Sequence, residues 1–149
     1  MNFDKFTIKA QEVVQEAANG AQRGGQQTIE PIHFLRAMIE KAQDVVGFLL
    51  QKQGVNVQHI AQVTESEISH LPRVSGGNGQ SYLSNDANQV VMRAEALAQE
   101  MGDEYVSVET FFLALLDVNS TASRILKDAG LTKQNVTAAI RELRQGKNV

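Results

Sequence analysis

Apolar residues recur every three to four positions along most of the chain, which is the pattern of amphipathic α-helices. The first such stretch follows Thr7, and a similar stretch follows Ser84. Both residues suit a helix N-cap, because the hydroxyl oxygen accepts a backbone N–H that has no partner within the helix. Gly25 and Gly102 close these stretches. Glycine readily adopts the left-handed conformation found at helix C-termini, so a helix is predicted in each case.

Three further helices are predicted in each half of the chain by apolar spacing combined with start signals. Proline is favoured in the first turn of a helix, and Asn, Ser and Thr are favoured as N-caps. In the first half the helices begin near Pro31, cover 44–53 and begin after Asn56. In the second half they begin after Ser107, cover 121–129 and begin after Thr132.

The two halves repeat one another at a spacing of 77 residues, and internal repetition of this kind fixes the architecture. A unit of about 75 residues buries little core alone, so we expect two units packed together with pseudo-twofold symmetry. The predicted fold class is all-α, with four helices in each repeat. Identical pairs include Ala10 with Ala87, Val13 with Val90, Gly25 with Gly102 and Phe34 with Phe111.

The predicted boundaries place repeat one at 1–73 and repeat two at 82–145. A glycine-rich stretch at 74–81 separates them. Such a stretch has low helix propensity and is typical of a flexible linker.

Composition narrows the classes of function. The chain has 149 residues, 14 basic and 17 acidic, and no Cys. The lack of Cys excludes disulfides, Cys-ligated zinc and thiol catalysis. Dispersed basic residues without an excess argue against nucleic-acid binding. Neither a signal peptide nor an apolar run long enough to span a bilayer is recognised, so no membrane association is expected and a cytoplasmic location is predicted.

Neither a catalytic group nor a metal site is recognised. The three histidines lack the spacing of metal ligands, and the glycine-rich stretch lacks the Lys and hydroxyl of a nucleotide-binding P-loop. Asp103-Glu104 and Glu109 are candidate paired carboxylates, but no nucleophile or base accompanies them. Glu109 is explained by the positive end of a helix dipole. Together with Tyr105 and Val106, these acidic groups suit binding of a basic or extended partner rather than catalysis.

Short motifs occur in a fixed order along the chain. They are Phe6-Thr7-x-x-Ala10, Ile29-Glu30-Pro31-Ile32-His33-Phe34-Leu35, Gly102-Asp103-x-Tyr105-Val106-Ser107-x-Glu109 and Ile125-Leu126-Lys127-x-Ala129-Gly130. In this order and spacing, the chain resembles the N-terminal domain of ClpB-type AAA+ chaperones, the protein disaggregases, over essentially all of its length. Two further motifs favour ClpB over its relatives ClpA and ClpC, namely Leu71-Pro72-x-Val74-x-Gly76 and the ending Arg144-Gln145-Gly146-Lys147-Asn148-Val149.

The resemblance implies a binding domain that sits mobile on a hexameric ATPase ring. Such domains bind unfolded or aggregated polypeptide and help pass it to the central pore during the stress response. The parent chain would bind ATP and magnesium and work with a DnaK-type chaperone, and residues 146–149 would begin the linker to the ring. The domain itself is expected to be monomeric, to need no cofactor and to have no enzymatic activity.

The resemblance also implies site residues. Substrate handling is implied for Thr7, Asp103 and Glu109, and an apolar groove beside the first helix of repeat two is implied around Leu97. Tyr105 and Val106 are its expected neighbours. We expect Leu97 to be exposed.

Two alternatives stay open. Helix capping alone explains Thr7, and helix-start electrostatics explain Asp103 and Glu109. Arg93 and Thr110 stand where relatives have apolar groove residues, which argues against strong apolar binding. In addition, the domain could dock a dedicated folded adaptor, as in ClpA or ClpC, although the Leu71-Pro72 motif argues against this.

Overall fold

A computed structural model describes residues 2–74 and 80–149 of the chain. The predicted all-α fold, with four helices in each repeat, is confirmed for these residues. Of the predicted linker at 74–81, residues 75–79 lie outside the described residues. The elements are α1 (Ile8–Arg23), β1 (Thr28–Ile29), α2 (Pro31–Lys41), α3 (Gln43–Lys52), α4 (Val57–Ser69), β2 (Tyr82–Leu83), α5 (Asn85–Glu100), α6 (Val108–Asp117), α7 (Thr121–Asp128) and α8 (Lys133–Arg144).

The helices begin where the capping residues predict. Each predicted N-cap accepts the backbone N–H three residues further on, which satisfies one donor that the first turn leaves free. The accepting side chains are those of Thr7 (3.2 Å), Asn56 (3.1 Å), Ser84 (3.0 Å), Ser107 (3.2 Å) and Thr132 (3.0 Å).

Two short parallel pairings join the repeats, and the sequence analysis did not predict them. In the first, Thr28 pairs with Tyr82 and Ile29 with Leu83. The N–H of Ser84, the N-cap of α5, then donates to the Ile29 carbonyl at 3.0 Å. Strands of two residues leave no alternating pattern in the sequence, because alternation is recognisable only over four or more residues.

The second pairing is the repeat-related copy of the first. Phe6 pairs in parallel with Val106, and at the 77-residue spacing these residues correspond to Leu83 and Ile29. The N–H of Thr7 donates to the Val106 carbonyl at 3.0 Å, matching the bond from the α5 N-cap. Each repeat therefore holds the start of the other repeat's first helix, as pseudo-twofold symmetry requires.

One core serves both repeats, with α6 at its centre. Every residue of α6 from Val108 to Leu116 is buried, and the helix contacts α1, α2, α3, α5, α7 and α8. The Phe111 ring lies 4.9 Å from the Phe34 ring and 5.4 Å from the Phe6 ring, measured between centroids. Since both partners belong to repeat one, the core extends across the boundary between repeats.

Candidate functional site

Arg144, the last residue of α8, organises a buried polar cluster at the N-terminal end of α6. Its Nη1 atom donates to Asp103 Oδ1 at 3.1 Å, and its Nε atom donates to Glu109 Oε2 at 2.9 Å. Its Nη2 atom donates to the hydroxyls of Ser107 (2.9 Å) and Thr110 (3.1 Å). These five residues are called the Arg144 cluster below. The planar guanidinium, with its five donors in a fixed fork, suits this set of acceptors.

The two carboxylates of the Arg144 cluster are withdrawn from solvent. The exposed fraction of the side chain is 0% for Asp103, 10% for Glu109 and 9% for Arg144. Asp103 Oδ2 lies 2.9 Å from Arg144 Nη1 but makes no hydrogen bond of good geometry with any described residue. The positive charge of Arg144 thus balances both carboxylates inside the protein. Buried charges require such a partner, because removing an ion from water is costly.

A role of Arg144 in the site was not predicted from the sequence. The contact joins residues 41 and 35 positions apart, beyond the reach of any helical spacing rule. The available signal was indirect. Two acidic residues beside the apolar start of α6 call for a nearby cation, and a basic residue ends the last helix.

The chain beyond α8 turns back onto the loop that carries Asp103. Gln145 adopts a left-handed conformation (φ 52°), and residues 145–149, called the exit segment below, then run beside the loop. The Val149 N–H donates to Asp103 Oδ1 at 3.0 Å. The main-chain oxygen of Val149 accepts the N–H groups of Glu104 (2.7 Å) and Tyr105 (3.2 Å). The exit segment therefore fixes the backbone of this loop.

Thr7 and Val106 meet on the other side of the same loop. The Val106 N–H donates to the Lys5 carbonyl at 2.7 Å, and the Thr7 hydroxyl caps α1. The Val106 side chain is buried. The structure places both residues at the pairing of the repeats, with Val106 buried and Thr7 partly buried.

Two large apolar side chains lie exposed next to this pairing. Tyr105 directly precedes Val106 and is 44% exposed, and Ile8 directly follows Thr7 and is 76% exposed. We call Ile8 and Tyr105 the Tyr105 edge. The backbone around Tyr105 is held from one side by the N-terminal segment, through Val106, and from the other by the exit segment.

The expected exposure of Leu97 is wrong. Its side chain is 3% exposed, because α5 packs along α6 and turns Leu97 inward. Thr110, which stands where relatives have an apolar groove residue, is also buried and bound to Arg144. Arg93 is paired with Asp117 at 2.9 Å. These residues therefore do not form an open apolar groove beside α5.

In repeat one, an uncharged pair stands at the positions of Asp103 and Thr110. At the 77-residue spacing, Gln26 corresponds to Asp103 and His33 to Thr110. The Nε2 atom of His33 lies 3.3 Å from Gln26 Oε1, and its Nδ1 atom accepts the Glu30 N–H at 2.8 Å. Burial lowers the pKa of His33 to about 4, and the positive charge of Arg36 adds to the effect. The ring is thus neutral at pH 7 and serves as an internal connector.

Residues 2–74 and 80–149 contain neither a candidate metal cluster nor a helix that could span a membrane. In this part of the chain, groups of three or more His, Cys, Asp or Glu residues that could hold a metal ion do not occur. Within the same residues, every helix is too short or too polar to cross a membrane.

The chain is similar to proteins of known family. A family model described as the Clp repeat (R) N-terminal domain matches residues 5–129. The chaperone protein ClpB of Bacteroides thetaiotaomicron is 50% identical over 149 residues, and that of Porphyromonas gingivalis is 46% identical. Both matches include the whole chain, which spans 17% of the length of each relative.

Solved structures share the fold. The Hsp104 N-terminal domain from Candida albicans superposes with a TM-score of 0.85 at 23% identity, covering 97% of this chain and 95% of that one. A ClpV N-domain in complex with a VipB peptide gives 0.77 at 17% identity, covering 93% and 86%. The resemblance to ClpB-type N-terminal domains is thus confirmed, and the chain belongs to the Clp repeat N-terminal domain family.

Proposed function

We propose that this chain is the polypeptide-binding N-terminal module of a ClpB-type disaggregase. It would engage unfolded or aggregated polypeptide and present it to an ATPase ring. The observation that supports this function is the Tyr105 edge, a pair of exposed apolar side chains on a backbone fixed from both sides. The ClpV N-domain, which has the same fold, was solved with a bound peptide. A peptide is therefore a ligand that this fold can accommodate.

The size of the Tyr105 edge sets the expected affinity. Full burial of one large apolar side chain contributes about 1.5–3 kcal/mol. Two such side chains must also offset the entropy lost on association. We therefore expect dissociation constants of roughly tens of micromolar to millimolar. Weak binding of this kind suits a module that meets many clients and releases each of them.

The other candidate residues are proposed to support the edge from inside. Thr7 caps the helix that carries Ile8, and Val106 packs beneath the loop that carries Tyr105. Asp103 and Glu109 fix the loop through Arg144. Leu97 contributes to the core beside it. In this proposal these residues affect substrate handling without direct contact.

Further functions are assigned to the parent protein as part of the same proposal. The chain spans 17% of the length of its ClpB relatives. We place ATP and magnesium binding, assembly of the hexameric ring and cooperation with a DnaK-type chaperone outside these 149 residues. The domain itself would be monomeric and would lack catalytic activity, and the proposed location is the cytoplasm.

Titration of the isotope-labelled chain with a reduced, carboxymethylated protein that cannot fold tests the proposal. Chemical-shift changes are expected to concentrate at Ile8, Tyr105 and their neighbours. The double variant Ile8→Ser and Tyr105→Ser should weaken binding by roughly ten-fold or more, because both apolar contacts are lost. Met92→Ser is the matched control. Met92 is half-exposed on α5, outside the Tyr105 edge, and its replacement should leave the affinity unchanged.

Two results would contradict the proposal. One is the absence of shifts at Ile8 and Tyr105 in a folded sample. The other is equal affinity of the double variant and the unaltered chain. Stoichiometric capture of one folded adaptor, without binding of unfolded chains, would favour adaptor docking instead.

A further inference from the structure

We infer that the exit segment, anchored by Arg144 and Asp103, preorganises the Tyr105 edge, so that polypeptide binding and exit-segment docking strengthen each other. Arg144 is a positioning residue in this scheme. The inference deepens the proposed function and rests on it, because it describes how the same binding edge is regulated by the chain that leaves α8.

Three hydrogen bonds join the exit segment to the loop that carries Tyr105. The main-chain oxygen of Val149 accepts the N–H groups of Glu104 and Tyr105, at 2.7 and 3.2 Å, and the Val149 N–H donates to Asp103 Oδ1 at 3.0 Å. These three bonds span the residues that present the Tyr105 side chain. Undocking of the exit segment would remove them together. The loop would then lose its backbone partners on one side and keep only those of the N-terminal segment on the other.

Arg144 anchors the start of the exit segment. Arg144 directly precedes the exit segment, and its guanidinium is held at once by Asp103, Glu109, Ser107 and Thr110. Because this fork of donors is buried, its position is fixed to the core. The start of the exit segment is fixed with it. Lysine keeps the charge but has a single ammonium group, which cannot reproduce the planar set of contacts.

The two repeats share a returning chain but differ in the buried polar groups beside it. The chain also returns after α4, where the Val74 N–H donates to the Gly25 carbonyl at 2.8 Å. There the pair at the positions of Asp103 and Thr110 is Gln26 and His33. These two side chains are uncharged at pH 7 and contact each other. A returning chain is thus common to both repeats. The ionic anchor is a feature of repeat two.

Docking of the exit segment should favour polypeptide binding rather than oppose it. Tyr105 remains 44% exposed while the exit segment is docked, so the segment orders the loop without covering its side chain. A loop that is already ordered loses less conformational entropy when a ligand binds. Coupling between two binding events is reciprocal. A bound polypeptide should therefore also hold the exit segment in place.

Two variants of the 149-residue chain test the inference, each by a different perturbation. Val149→Pro removes one N–H donor of the exit segment and leaves the core untouched. Arg144→Lys weakens the anchor. Both should lower the affinity for the carboxymethylated unfolded protein about three- to ten-fold. Both should also speed amide hydrogen exchange at Glu104 and Tyr105. Arg141→Lys, an exposed change on the same helix, is the control and should alter neither.

The outcomes separate this inference from the proposed function. If the unaltered chain does not bind unfolded protein, the proposed function fails and the inference fails with it. If the unaltered chain binds and Val149→Pro binds equally well, only the inference is overturned. Slower exchange at Glu104 and Tyr105 on adding unfolded protein supports the reciprocal coupling, and unchanged exchange contradicts it. Should Arg144→Lys unfold the chain, Val149→Pro decides.

Discussion

His33 shows how a single buried residue makes stability depend on pH. Both ring nitrogens have partners, Nδ1 as acceptor from Glu30 N–H and Nε2 facing Gln26 Oε1. This arrangement assigns the proton of the neutral ring to Nε2. A second proton would remove the acceptor and place a charge in the interior, so burial lowers the pKa of His33 to about 4.

Mild acid is therefore predicted to destabilise the fold through His33. The unfolded side chain has a pKa near 6.5 and the folded one a pKa of about 4, so the unfolded state takes up the proton first as the pH falls. The free energy of unfolding should decrease from about pH 6.5 towards pH 4, by on the order of 2 kcal/mol between pH 7 and pH 5. Urea unfolding at pH 7 and at pH 5 measures this loss.

The variant His33→Asn separates this titration from other effects. Asparagine does not titrate, and at the same helix position Asn135 accepts the Thr132 N–H at 2.9 Å, so a comparable contact is available. The variant is less stable overall but should lose little between pH 7 and pH 5. His59→Asn, a change at an exposed position on α4, is the control and should keep the original loss. An equal loss in His33→Asn and in the unaltered chain would contradict the assignment.

At the scale of elements, one glycine within α3 and one just after it differ in backbone conformation, although both have free space around the Cα atom. Gly47 lies within α3, and Gly54 follows it with φ 72°. A Cβ atom added at either position would meet no atom within 4 Å. The pair therefore isolates the conformational preference of glycine from packing.

Alanine at these two positions should have opposite effects. Gly47→Ala should raise the free energy of unfolding by about 0.5–1 kcal/mol, because alanine loses less backbone entropy in a helix. Gly54→Ala should lower it by roughly 1 kcal/mol, since a left-handed conformation strains a residue with a Cβ atom. Urea unfolding monitored by circular dichroism gives both values. A shift of the same sign in both variants would contradict this explanation.

The elements also show how far local signals reach. Helix starts at Thr7, Ser84, Ser107 and Thr132 follow from capping residues, which act within three positions. The strands β1 and β2 have no such signal. They exist because packing of the two repeats brings Ile29 beside Leu83, and exposed backbone donors and acceptors in contact pair with one another.

At the scale of the whole molecule, the aromatic contacts of Phe111 join the two repeats across their boundary. Phe34 and Phe6, both in repeat one, pack on this ring in repeat two. Removing part of one ring therefore weakens contacts on both sides of the boundary. Separate unfolding of the repeats would expose this shared interface to water.

Phe34→Leu should consequently destabilise both repeats together, by about 1–2 kcal/mol. Hydrogen exchange of the slowest amides in α2 and in α6 should accelerate by the same factor, and urea unfolding should remain a single transition. Met92→Ser, a change at a half-exposed site on α5, serves as control and should leave both helices as protected as before. Faster exchange in α2 with unchanged exchange in α6 would contradict a common unit.

The sequence by itself determined the repeat, the helices and the fold class, because apolar periodicity and capping are local and recur at 77 residues. It also marked the region around Asp103, Tyr105 and Glu109 as the candidate site. Only the tertiary structure decided what each side chain does there. Periodicity identifies the apolar face of α5 but not what covers it, so Leu97 was expected outside and lies inside. The cation that meets Asp103 comes from 41 residues away, and only the packing of α8 against α6 brings Arg144 to it.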